Sequence, residues 1–145
     1  MFKTSLTYLD LRSPLQYIPV KSADLSKSDE ILLCYEINMT QNSSIEPVRE
    51  QFLGSLVFIG EKADEKSAKQ GENDEAVLPA GSYLFNQCRA ADRLNQDEWL
   101  DIAIEQQKDG LWERNKLRNM LYVRFLYEDD AMVTQVFRPV ESNQA

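Results

Sequence analysis

At 145 residues with 43% hydrophobic character, the chain has the length of one domain and can bury a real core, since a domain of about 150 residues hides about two-thirds of its unfolded surface. The formal net charge of −8 and pI near 4.6 argue against direct nucleic-acid binding, where affinity comes from Lys and Arg neutralising phosphates. Having no histidine excludes Ser-His and Cys-His nucleophiles and removes the commonest zinc and haem ligand.

The opening residues carry no long apolar stretch, and no run anywhere approaches the 18 or so residues of a membrane helix, so a cytoplasmic protein without membrane contact is expected. Residues 2–11 alternate loosely and suit a first strand, after which Pro14 and Pro19 break regularity. Residues 21–30 are polar and supply a loop or short surface helix with little core. Over 31–39 the alternation predicts a strand, with Ile31, Leu33, Tyr35, Ile37 and Met39 on one face and Leu32, Cys34, Glu36 and Asn38 on the other. Residues 52–59 are apolar on both faces, as expected of a central, doubly packed strand. Residues 61–75 hold no apolar anchor larger than alanine and should form a mobile charged loop.

Residues 76–88 predict a further strand with a kink at Pro79-Ala80-Gly81, beyond which Tyr83, Phe85 and Gln87 share a face. Asn95-Gln96-Asp97-Glu98 has capping-box spacing and opens a helix with Trp99, Ile102, Ala103 and Gln106 at helical period, closed by Gly110. Trp99 belongs to the helix's core stripe, and Trp112 packs on the helix end or closes one side of a cleft. Residues 119–128 and 131–140 form a hairpin about Asp129-Asp130, ended by Pro139. Cys34 and Cys88 form no Cys-x-x-Cys unit and read as reduced core thiols. The domain therefore spans 1–140, with 141–145 a disordered tail.

Leu78-Pro79-Ala80-Gly81-Ser82-Tyr83, the Trp-bearing helix closed by Gly110, and Val133-Thr134-Gln135-Val136-Phe137-Arg138-Pro139-Val140 together resemble the second half of GyrI-like domains, the effector-binding domains of multidrug-sensing transcription activators and their stand-alone relatives. The resemblance covers about 76–140. It implies an α+β fold: an antiparallel sheet with helix cover on one face, built as two βαββ-type repeats around a cleft for bulky small molecules, the first repeat degenerate. Tyr35-Glu36 sits where the family's first repeat often has an aromatic followed by an acid. The family's last strand usually carries an acid where this chain has Gln135, and the acid of the preceding strand falls on Val123.

If the last two strands pair about Asp129-Asp130, Glu128 faces Ala131, Tyr122 faces Phe137 and Arg124 faces Gln135, while Leu121, Val123, Phe125 and Tyr127 join Met132, Thr134 and Val136 beneath the helix. A concave face lined by aromatics with a few placed polar groups is the usual form of a small-molecule pocket. Glu36, Tyr83, Tyr122, Arg124, Gln135 and Phe137 are therefore the candidate ligand-binding residues, against the plainer reading of a solvated sheet face with an ordinary Arg124–Gln135 pair. Arg114, Lys116 and Arg118 form a basic cluster that is either solvated surface or a contact for an anionic ligand.

No Gly-rich phosphate loop, Gly-x-Ser-x-Gly elbow or metal-ligand spacing is present, so no cofactor or metal is expected and an enzyme is the minority reading. The leading expectation is a stand-alone domain that senses or sequesters a bulky hydrophobic organic ligand, without a DNA-binding segment because the chain begins directly on a strand. With Arg124 and Gln135 at its polar centre in place of the family's acids, the cleft suits a neutral or anionic molecule. The alternatives are an acidic interaction module that docks a basic protein partner through 61–75 and Glu128-Asp129-Asp130, as a topoisomerase inhibitor would, or a small hydrolase with Glu36 as base.

Overall fold

Period-two alternation dominates the chain, and in the computed structural model, which describes residues 7–19, 30–38, 49–62, 76–112 and 116–141, it yields a sheet-dominated α+β fold. The elements in chain order are β1 (Tyr8–Leu11), β2 (Leu15–Pro19), β3 (Glu30–Ile37), α1 (Arg49–Phe52), β4 (Leu53–Lys62), β5 (Ala76–Leu78), β6 (Gly81–Ala90), α2 (Gln96–Trp112), β7 (Met120–Glu128) and β8 (Ala131–Val140). The described strands form one antiparallel sheet in the order β1-β6-β8-β7-β3-β4-β2-β5.

Connectivity dictates that this sheet curls. On a flat sheet β5 and β6 would lie six strand spacings apart, about 29 Å. Only Pro79 and Ala80 separate Leu78 from Gly81, a link of at most roughly 11 Å. The sheet therefore bends until its two margins nearly meet, and the Tyr83 hydroxyl donates to the Pro79 carbonyl across the join. Gly81 enters β6 at φ 152°, a backbone region closed to most L-residues.

Curling gives each strand an inner and an outer face. Tyr17, Leu32, Cys34, Leu78, Tyr83, Tyr122 and Phe137 pack together on the inside. Ile31, Ile37, Phe52, Leu121, Val123, Phe125 and Val136 pack outside, with Trp99, Leu100 and Ala103 of α2 laid against them. The hairpin has the predicted register, with Tyr122 opposite Phe137, Arg124 opposite Gln135 and Glu128 opposite Ala131. Asp129 and Asp130, at φ 50° and 61°, adopt the left-handed pair that a two-residue turn needs to match strand twist.

Several expectations are corrected. Leu15–Pro19 is a strand despite its prolines, because Pro14 precedes it and Pro19 stands at its last position, opposite Gly60. β4 is not doubly packed: Phe52 is buried from α1, whereas Gly54, Ser55, Leu56 and Val57 are exposed. Glu61 and Lys62, placed in the charged loop, end β4 opposite Ile18 and Tyr17, and residues 63–75 lie outside the described residues, as does Met39. Gly110 does not end α2, which runs on to Trp112; a side chain there would stand 2.7 Å from Leu84 Cδ1, so the glycine serves close packing. Trp112 is 78% exposed and does not border the cavity-lining or core residues described for the sheet. Glu141 joins the fold through its backbone N–H to the Lys116 carbonyl and an ion pair with Lys116, and 142–145 lie outside the described residues.

Candidate functional site

β6, β8 and β7 lie side by side, so alternation aims Tyr83, Phe137 and Tyr122 into the curled sheet together. Their rings meet edge to face, with Tyr83 5.7 Å from Phe137 and 6.2 Å from Tyr122, and Phe85 stands 5.0 Å from Phe137. Aromatic pairs in this arrangement gain about 0.5–1.5 kcal/mol beyond their area burial. Tyr83 and Phe137 are each 1% exposed, so the inner face is filled by its own side chains.

One step along the same face the lining turns polar. Arg124 donates from Nε and Nη2 to Glu30 Oε2 at 3.1 and 2.8 Å and from Nη1 to Gln135 Oε1 at 3.1 Å. Tyr17 donates to Glu30 Oε2 at 2.6 Å, and Gln135 donates to Gln87 Oε1 at 3.0 Å. These bonds form a ladder across five strands. Burial pushes the Tyr17 phenol above its ordinary pKa, and burial alone raises the Cys34 thiol to about 12, so both stay protonated at neutral pH.

The curled sheet opens at two ends. At one end, Pro14, Leu15, Gln16, Tyr17, Glu30, Lys62 and Arg124 line a cavity of about 260 Å³ whose Tyr17, Glu30 and Arg124 already satisfy one another. At the other, a cavity of about 300 Å³ is bounded by the Pro79–Tyr83 corner, Arg118, Met120, Tyr122, Pro139 and Val140. Its Arg118 is anchored through the backbone, donating N–H to the Pro139 carbonyl at 3.0 Å and accepting Arg138 Nε at 2.7 Å. The exposed Arg118 guanidinium has no hydrogen-bond or ion-pair partner among the described residues. Burial raises the Tyr122 phenol to about 12, and the Arg118 charge pulls against that rise at both Tyr122 and Tyr83.

Of the six candidate residues, Tyr83, Tyr122 and Phe137 form one cluster, and Arg124 with Gln135 forms the adjoining polar pair. Glu36 stands apart, exposed and opposite Met120 at the far end of β3. The acid that faces Arg124 is Glu30, which starting the strand at residue 31 leaves out; extending the Leu32, Cys34, Glu36 alternation back by two positions finds it. Tyr17 goes unseen because the flanking prolines hide its strand. Within the basic cluster, Lys116 pairs with Glu141 at 3.4 Å, Arg118 borders the cavity, and Arg114 lies outside the described residues. Among the described residues no group of His, Cys, Asp or Glu is placed to hold a metal ion, and no helix is long and apolar enough to cross a membrane. No protein-family model matches the chain, and no curated protein proves similar to it.

Proposed function

We propose that the chain is a small-molecule-binding domain that holds a neutral or anionic organic molecule at the Tyr83–Tyr122–Arg118 mouth of the curled sheet. The observation that carries this reading is the Arg118 guanidinium, without a partner among the described residues, beside two tyrosine rings in a cavity of about 300 Å³. An apolar floor with one placed charge suits an aromatic body ending in a carboxylate, which guanidinium grips through paired, charge-assisted hydrogen bonds. A bulkier ligand seated deeper would have to displace Tyr83 and Phe137, each worth about 2 kcal/mol or more in burial. The mouth is therefore favoured over the interior, with Phe137 packed against Tyr83 beneath it and Glu36 at its margin opposite Met120, while Arg124 and Gln135 lie farther along the inner face toward the opposite opening.

The strand order supports a two-repeat reading of the GyrI-like kind. β2, β3 and β4 stand in the order β2-β4-β3, β6, β7 and β8 in the order β6-β8-β7, and the two sets join through β3 and β7. The interaction-module reading gains less, since its 63–75 segment lies outside the described residues and Glu128 is engaged by Arg89 at 3.2 Å.

A thermal-shift panel of aromatic carboxylates, neutral aromatic dyes and lipophilic cations tests the proposal. A carboxylate at 100 times its dissociation constant should add about 2.7 kcal/mol. Arg118→Met should weaken that ligand by about 10- to 100-fold, the loss of one charged hydrogen-bonding group. A panel in which no carboxylate or neutral dye stabilises the protein, or in which Arg118→Met binds as well as the parent, would overturn it.

A further inference from the structure

We infer that the opposite opening of the curled sheet is a second binding site, for a free α-amino acid with a small apolar side chain, held by its ammonium at Glu30 and its carboxylate at Lys62. The cavity there, about 260 Å³, is bounded by Pro14, Leu15, Tyr17, Glu30, Lys62 and Arg124. It shares no lining residue with the Arg118 mouth, and neither site depends on the other.

Strand register aims the two charges. Tyr17 of β2 stands directly opposite Lys62 of β4, so their side chains leave the sheet on one face, the inner one on which Tyr17 packs. On the other side of β4, Leu32 and Ile31 stand opposite Gly60 and Glu61, and the next step of that register brings Glu30 beside Lys62. Glu30 shares the inner face with Leu32, two positions on. Lys62 therefore lies between a tyrosine and a carboxylate at cross-strand spacing, about 5 Å between Cβ atoms.

Hydrogen bonding leaves one acceptor and one cation at this opening unused. Tyr17 Oη and the Arg124 Nε and Nη2 all donate to Glu30 Oε2, at 2.6, 3.1 and 2.8 Å. Oε1 accepts nothing among the described residues and stays open to solvent, the side chain being 13% exposed. Three donors on one oxygen hold the carboxylate in place, so the other oxygen is a preorganised acceptor. Turned toward Arg124, Glu30 leaves Lys62 without an ion-pair or hydrogen-bond partner among the described residues.

Charge selects the class. A simple anion would meet Lys62 but also the open Glu30 oxygen, which repels it, and a simple cation would meet the reverse. A zwitterion satisfies both, its ammonium donating to Glu30 Oε1 and its carboxylate accepting from Lys62 Nζ, each bond charge-assisted. Because the two protein groups are neighbours, the two ligand charges must be neighbours also, as they are about the α-carbon of an amino acid. Drug-sized ligands take pockets of about 300–1,000 Å³. At about 260 Å³ this one suits a smaller body, with Pro14 and Leu15 as apolar cover for a short aliphatic side chain.

The test titrates L-valine into the ¹⁵N-labelled full chain and follows the Lys62 backbone amide and the Arg124 Nε–H, which should both move with saturable 1:1 behaviour. 3-Methylbutanoate lacks the ammonium, 2-methylpropylamine lacks the carboxylate and 6-aminohexanoate separates the two charges, so each should bind at least tenfold more weakly. Lys62→Met alters an exposed side chain and should weaken valine at least tenfold, the loss of one charged hydrogen-bonding group. Lys108→Met removes the same charge from α2 and should bind as the parent does. Glu30→Gln keeps an oxygen for Arg124 and Tyr17 and puts an NH₂ group in the cavity; it should weaken valine as much while binding 3-methylbutanoate no worse than the parent. Should Glu30→Gln fail to fold, the lysine variants and the ligand comparison decide alone. Any comparison ligand binding as tightly as valine, parent-like binding by Lys62→Met, equal losses in the two lysine variants, or shifts confined to the Arg118 mouth would each overturn the inference. An aromatic carboxylate seated at Arg118 leaves the Lys62 and Arg124 resonances still, so the two sites succeed or fail separately.

Discussion

Cys34 lies 2% exposed beneath Tyr122 on the inner face, with no hydrogen-bond donor among the described residues to stabilise a thiolate, and burial raises its pKa from 9.0 to about 12. The folded state therefore holds the thiol proton more tightly than the unfolded chain does. The stability this contributes is complete below pH 9 and is lost as pH climbs from 9 toward 12, reaching a loss of about 2–3 kcal/mol by pH 11. Cys34→Val keeps a small β-favouring apolar group and removes the titration, so its unfolding free energy should fall about 2 kcal/mol less than the parent's between pH 8 and pH 11. Denaturant curves at the two pH values check this, and parallel losses would relieve Cys34 of the effect. The same residue shows how far alternation reads a site. Leu32, Cys34, Tyr122 and Phe137 share a face because side chains alternate strictly along a strand, which the sequence displays. That Arg124 is held chiefly by Glu30, and that an acid sits so close inside at all, depends on where β3 begins, and strand ends are set by pairing partners rather than by local pattern.

At the scale of elements, α2 and the β7–β8 hairpin are the parts whose start signals are local chemistry. Glu98 N–H donates to Asn95 Oδ1 and Asn95 N–H to Glu98 Oε1, both at 2.9 Å, the reciprocal cap that Asn95-Gln96-Asp97-Glu98 announces. Asn95→Ala should cost about 1 kcal/mol and Asn95→Asp almost nothing, measured as shifts in the urea midpoint; an alanine variant as stable as the parent would mean that packing by Trp99 and Leu100 alone fixes this helix. Elements set by distant partners were harder to read. β2 exists because Tyr17, Ile18 and Pro19 find Lys62, Glu61 and Gly60 on β4, an attachment that overrides the prolines. Gly110 reads as a helix stop by composition, yet it is retained inside α2 because Leu84 and Leu117 leave no room for a methyl group.

For the molecule as a whole, curling protects most strand edges but leaves part of β4 open. β4 pairs with β3 along its length, whereas β2 meets it only at Gly60, Glu61 and Lys62. Among the described residues no strand covers the other edge of Leu53–Ile59. Leu56 and Val57 are 42% and 49% exposed there, and the run from Phe52 to Ile59 carries neither charge nor proline, the composition that invites edge-to-edge pairing. At neutral pH the net charge of −8 holds copies apart, a repulsion that vanishes near the pI of about 4.6. Acidification toward pH 4.6 should therefore produce concentration-dependent light scattering seeded at this edge. Leu56→Gln with Val57→Gln leaves the charge unchanged and should suppress that scattering while shifting Tm little, since neither side chain is buried. If the double variant scatters as the parent does at matched pH and concentration, association proceeds through another surface, and the irregular register between Cys34 and Tyr35 already bends this edge enough to guard it.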